Sequence, residues 1–212
     1  MLSKTFHNLP PERQQAVLDV AMGEFTEHGY EAASTNRMVA SLGIAKGTLF
    51  KYASTKAALY LYLYEQVLTE LALIQDDPAT YTTPDLFLRV EDLFEALLAY
   101  AAREPLRYRF SMRASLDTRA SIAAEVEQVR QRVTQHHHGA LLAGVDWALY
   151  ALPREEVWEL FAWVMAGGRT AAIRVLDADY DHDDYVALVR RQFALARTLL
   201  RGGVYRRPEE EA

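Results

Sequence analysis

Residues 34–56, STNRMVASLGIAKGTLFKYASTK, constrain the fold more than any other stretch of the chain. Met38, Val39 and Leu42 recur at helical spacing, and after Gly43 so do Ile44, Leu49 and Phe50. The pattern predicts two short helices joined by a tight turn, with a further helix starting near Lys56. At the turn, Gly43 supplies a backbone angle that a residue with a Cβ adopts only at a cost. Ser34 or Thr35 is placed to cap the first helix through its hydroxyl. The second, from about Ala45 to Tyr52, sets Lys46, Gly47, Thr48, Lys51 and Tyr52 between its apolar anchors. One face of such a helix enters a core. The other offers small residues for close approach, and hydroxyls and cations for bases and phosphates, as a helix laid against DNA requires.

Upstream, Pro10-Pro11 opens a helix whose buried stripe is Val17, Val20, Ala21, Phe25 and His28. Gly29 suits its C-terminal cap, with Tyr30 packing back on the last turn. Residues 1–9 read as a flexible, frayed arm, in which Lys4 and His7 are the groups able to reach a phosphate or a minor groove.

Phe25, the run His28-Gly29-Tyr30, Ser34-Thr35, Gly43-Ile44, Lys46-Gly47-Thr48-Leu49-Phe50, Tyr52 and Lys56 follow in a fixed order and spacing. In this the chain resembles, over residues 10–70, the N-terminal domain of TetR-family transcriptional regulators. The resemblance implies that Asn36, Lys46, Gly47, Thr48 and Phe50 approach base edges. It places Thr35, Tyr52 and Lys56 at phosphates, and Lys51 at either. Three positions depart from the family's usual pattern: Arg37 where many relatives carry an acid, Ala45 where Ser or Thr is common, and Ala53 in place of an aromatic residue.

A net charge of −6 over 212 residues looks wrong for a DNA-binding protein until it is divided. Residues 1–56 hold six cations against five acids, and all five acids precede Ser34. Phosphate contact needs a local basic patch, not a basic total. Half of the residues are hydrophobic, enough for a sizeable core, and the absence of cysteine excludes disulfides and thiolate metal sites. The N-terminal residues lack an apolar run of secretory-signal length, and the apolar stretch Ala140–Leu152 is broken by Asp146. A cytoplasmic protein with no membrane partner is expected.

The rest of the chain reads as helices. One runs from Lys56 to about Gln75 and, by resemblance, connects the DNA-binding domain to the core. A loop at Asp77–Asp85 is the expected hinge. Beyond it come helices from about Leu86 to Arg103, from Leu106 to Leu116, and a long one from Arg119 to Ala143. Aromatic residues interleave with arginines around Tyr108 and Phe110, so Phe94, Tyr108, Phe110, Met112 and Trp147 are the expected lining of an effector pocket; ordinary packing is the other reading of the same residues. His136-His137-His138 point about 100° apart on a helix and cannot all bind one metal. Two final helices carry Val157, Phe161, Val164 and Gly168, then Leu188, Leu195 and Leu199. In the resembling proteins two such helices from each chain form a four-helix dimer interface. The alternative is that both bury these faces within one chain.

The expectation is therefore an all-α protein: an N-terminal three-helix helix-turn-helix DNA-binding domain at 1–56, a C-terminal helical effector-binding and dimerisation domain at 57–203, and a disordered tail at 204–212. By resemblance it is a homodimeric, sequence-specific regulator of transcription, a repressor released from palindromic double-stranded DNA by an unknown small-molecule effector. No catalytic residue, metal or cofactor is expected. A helical-bundle enzyme or metal protein, and a DNA-binding dimer without an effector, are the competing readings. The first lacks a Glu-x-x-His pair, a phosphate-cradling glycine loop and a nucleophile context.

Overall fold

The structure, a computed structural model, describes residues 2–116, 120–135, 139–176, 182–201 and 204. Its α-helices are α1 (Lys4–His7), α2 (Pro11–Ala32), α3 (Thr35–Leu42), α4 (Lys46–Tyr52), α5 (Lys56–Asp76), α6 (Leu86–Arg103), α7 (Pro105–Leu116), α8 (Ala123–Thr134), α9 (Gly139–Leu142), α10 (Arg154–Leu176) and α11 (His182–Arg201). Among the described residues there is no strand. Packing divides the chain into two compact units, Met1–Ile74 with Ala99–His137, and Gln75–Leu98 with His138–Ala212. This grouping does not follow a cut at residue 56: α7, α8 and most of α5 pack with the N-terminal helices.

The first unit is built around an aromatic cluster. Phe25 of α2 meets Tyr60 of α5 edge to face at 4.9 Å between ring centroids, and Tyr60 meets Phe110 of α7 at 5.3 Å. All three are buried. Such pairs add about 0.5–1.5 kcal/mol each beyond the area they bury. The α5 helix is long and apolar enough to cross a membrane, but Leu59, Tyr60, Leu63, Tyr64 and Val67 are buried in this core. Its N-terminus is capped by Thr55, whose Oγ1 accepts the Ala58 N–H at 3.0 Å. Helical geometry in α2 breaks at Gly29, with φ +69° and ψ 176°.

Two expectations fail in this unit. The N-terminal arm is not frayed: Leu2 and Phe6 are buried, and α1 forms behind Ser3, whose Oγ accepts the Phe6 N–H. The long helix expected from Arg119 to Ala143 starts later and is divided, with α8 ending at Thr134 and α9 starting at Gly139. The three histidines lie outside the described residues. Among those described, no group of three acids and histidines is placed to hold a metal.

The second unit is organised by a buried cation that the sequence reading did not single out. Arg89 donates to the carbonyls of Thr83, Ala140, Leu141 and Ala143 at 2.7–2.8 Å and lies over the Tyr81 ring. It takes up carbonyls that the short α9 helix leaves without partners. Tyr150 donates to Asp85 at 3.1 Å and accepts the Leu86 N–H at 2.8 Å, which fixes the start of α6. The loop expected to hinge is tied down: Tyr81 donates to the Gln75 carbonyl, and Thr82 donates twice to Asp92.

Candidate nucleic-acid interface

The turn between α3 and α4 forms as its residues dictate. Gly43 is left-handed, φ +63° and ψ 32°, and its N–H and that of Ile44 close on the carbonyls of Ala40 and Val39. Ser34, not Thr35, caps α3, its Oγ accepting the Arg37 N–H at 3.4 Å. Ala45 stands at the N-cap of α4 with no side-chain bond to offer. The helix is pinned by Leu49, which is 2 % exposed, and by Ala53 just beyond its end. Ala53, small where the family favours an aromatic residue, fits because it enters the core.

With that face buried, the opposite one is presented outward. Asn36, Lys46, Gly47, Phe50 and Lys51 are exposed; Thr35, Thr48 and Tyr52 are half-buried. Among the described residues, Phe50 is one of few large apolar side chains left in solvent. A Cβ added at Gly47 would meet nothing within 4 Å, so nothing in the chain itself requires glycine there. Among the described residues, neither Lys46 nor Lys51 meets a carboxylate. Eight of the nine expected contact residues thus share the surface of α3 and α4.

Lys56 is the ninth, and it is spent differently. Its ammonium donates to the carbonyls of Tyr30, Glu31 and Ala33 at 2.8–3.3 Å and sits over the Tyr30 ring. Three donors meet three acceptors, leaving none for the phosphate contact that the resemblance implies. The departure at Arg37 also has a partner. Its guanidinium forms a bidentate pair with Glu24 of α2 and donates to the Ala32 carbonyl at 2.9 Å. Glu24 accepts the Ser34 N–H as well, at 2.6 Å. Burial opposes ionisation of Glu24, but the bonds from Arg37 and Ser34 outweigh it and hold the carboxyl below its usual value.

A match to the model of bacterial regulatory proteins of the tetR family covers residues 17–63, from the middle of α2 through the turn and α4 into α5. Over this segment the chain carries a tetR-family N-terminal domain. The helix-turn-helix of α3 and α4 lies wholly within the matched segment. The nucleoid occlusion factor SlmA of Glaesserella parasuis is 28 % identical over 95 residues, 44 % of this chain and 46 % of that one. The chain therefore aligns with about half the length of this relative. The HTH-type transcriptional repressor KstR of Mycobacterium tuberculosis is 27 % identical over 184 residues, 80 % and 83 % of the two chains. A TetR family transcriptional regulator from Chloroflexus aurantiacus shares the fold, with a TM-score of 0.62, 22 % identity and coverage of 98 % and 100 %.

The remaining expected site residues fall into separate settings. In the first unit, Tyr108 and Phe110 are buried and Met112 half-buried, with Phe110 against Phe25 and Tyr60. An open cleft of about 670 Å³ in the same unit has other walls, Gln15, Glu70, Leu73, Ile74, Tyr100, Arg103, Glu104 and Arg107. In the second unit, Phe94 packs on Phe193, and Trp147 lies beside Tyr150 and under the Arg154 guanidinium. Of the expected dimer residues, Val157 is 0 % and Phe161 7 % exposed, so both bury their side chains within the chain. Val164 and Leu188 are half-buried and Leu195 is exposed, joined by Trp163 at 78 %, which sequence patterning did not single out. Gly168 and Leu199 fall in α10 and α11, but their surroundings lie outside the described residues.

Proposed function

We propose that the chain acts as a homodimeric repressor that binds a near-palindromic operator through α3 and α4 and is released by a small-molecule effector. The observation that carries this reading is the outward face of α4, where Lys46 and Lys51 stand without carboxylate partners among the described residues, on a helix anchored from behind by Leu49. A cation that no acid neutralises is free to displace counterions from a phosphate. Lys46 donates to guanine acceptors and Phe50 meets a thymine methyl in this reading, with Thr35 and Tyr52 at phosphates. The name of the KstR relative, a transcriptional repressor, supports the sign of regulation.

The functional division we propose is the DNA-reading part at 1–56, an effector-binding and dimerising part at 57–203, and a tail at 204–212. Dimerisation through α10 and α11 is supported by exposed Trp163 and Leu195, which a monomer leaves in water. Two α4 helices then face successive major-groove turns about 34–36 Å apart. An effector that prefers a different spacing lowers DNA affinity ten-fold for about 1.4 kcal/mol of coupling. Its site is proposed within the second part. A cytoplasmic location follows from a chromosomal target.

Selection of bound duplexes from random sequence by the purified protein tests the reading. A two-fold symmetric consensus is the expected result. Recovery of unselected sequence at every salt concentration contradicts it.

A further inference from the structure

The recognition helix α4 has only seven residues, lacks a side-chain N-cap and contains Gly47. By propensity alone it is poorly held. Its last carbonyls also need partners from outside the helix. The segment before α2, expected to fray, supplies them. The Ser3 N–H donates to the Tyr52 carbonyl at 2.9 Å, and Ser3 Oγ donates to the Lys51 carbonyl at 2.5 Å. Phe6 is 0 % exposed and meets the rings of Tyr52 and Tyr62 edge to face at 6.2 and 6.4 Å. Behind it, the Gln14 side-chain amide donates to the carbonyls of His7 and Leu9, fastening the segment to α2. One end of α4 is thus tied to a piece of chain almost fifty residues away, and Tyr52 is held from both its carbonyl and its ring.

We propose that Leu2–Phe6 form a clamp that sets the pose of the recognition helix, with Ser3 and Phe6 as positioning residues for DNA reading. The proposal rests on the DNA-binding function above. Neither residue needs to touch DNA. Each acts through Lys51 and Tyr52, the first an exposed cation and the second a candidate phosphate contact. Loss of the Ser3 hydroxyl leaves the apolar core of the first unit, Phe6 included, in place but lets the end of α4 fray. Shape-matched binding then suffers, while non-specific phosphate attraction, which needs only charge, does not.

The experiment uses the full chain, the duplex that the wild type selects from random sequence, and a scrambled duplex of equal length and composition. Ser3→Ala and Phe6→Ala are compared with wild type and with Ser3→Thr, which restores the hydroxyl. The clamp predicts about ten-fold weaker binding of Ser3→Ala to the selected duplex, since the bond to the Lys51 carbonyl and the cap on the Phe6 N–H are both lost while the backbone bond to Tyr52 remains. It predicts unchanged binding to the scrambled duplex and recovery in Ser3→Thr. Amides of residues 51–53 exchange faster in Ser3→Ala, while those of α5 do not. The proposal is overturned if both alanine variants keep wild-type affinity for the selected duplex, or lose affinity equally for both duplexes. Should the wild type select no duplex, it is the DNA-binding reading that fails. Exchange at residues 51–53 then still decides the clamp: faster in Ser3→Ala upholds it, unchanged refutes it.

Discussion

The guanidinium of Arg113 lies against Gly29. Arg113, on α7, donates from Nη1 to the Thr26 carbonyl at 3.0 Å, near the end of α2. Gly29 has φ +69°, and a Cβ there would sit 3.3 Å from Nη2 of the same guanidinium. Gly29→Ala meets two costs: a backbone conformation that L side chains rarely adopt, and a displaced arginine. The backbone cost is the larger, because the arginine tip is flexible. Thermal unfolding of Gly29→Ala should show a loss of about 1–3 kcal/mol, and the loss should persist in an Arg113→Ala background. Disappearance of the penalty in that background would show that the contact, not the backbone, sets it.

Lys56 separates a structural cation from a DNA-contacting one. Removing its ammonium orphans three carbonyls, so Lys56→Met should cost about 1–3 kcal/mol of stability. Its effect on the salt dependence of DNA binding should be nil. Lys46→Met and Lys51→Met should do the reverse, each lowering the slope of log K against log salt by about 1. Salt titrations of the three variants beside their melting curves give the comparison.

Acid should release the tie between α2 and α3. Glu24 and Glu31 are both held below the usual carboxylate value: burial works against this in Glu24 but bonds from Arg37 and Ser34 prevail, and in Glu31 hydrogen bonding to Ser121 leads. A carboxyl whose native value is depressed contributes stability above its unfolded value, near 4.3, and loses it as pH falls through the native value. The melting midpoint should therefore fall below about pH 4.3. Glu24→Gln should flatten that fall and cost about 1–2 kcal/mol at neutral pH, a figure reduced by the exposure of Arg37. Parallel midpoints from pH 3 to pH 7 would count against the pairing.

Ala45 leaves a vacancy that is simple to fill. Its backbone already has N-cap geometry, φ −72° and ψ 147°. Ala45→Ser should stabilise the protein by about 0.5–1 kcal/mol, read as a raised denaturation midpoint. No change would mean that Ser Oγ prefers water to the helix N–H groups.

The helix-turn-helix was legible because its signals are local. Gly43 adopts the left-handed turn, Ser34 caps α3, and Ala45 lacks a cap, each decided within four residues of chain. What escaped is long-range. The α1 helix is too short to show a period, and its reason for forming, the Tyr52 carbonyl, lies 49 residues on. Lys56 was assigned from resemblance, which fixes position but not where an ammonium points. The stripe of α10 predicts burial without saying against what: Val157 and Phe161 turn inward, while Trp163 faces out. Arg89 could not be found by pattern, since a buried cation satisfied only by carbonyls has no sequence partner.

The central claim is that the exposed face of α4 reads bases. Repeating the duplex selection with Lys46→Ala and with Thr48→Ala tests it most directly. The account predicts a consensus that keeps its symmetry but relaxes at a matched pair of positions in each half-site, with the melting midpoint unchanged. A consensus identical to wild type in both variants would contradict it.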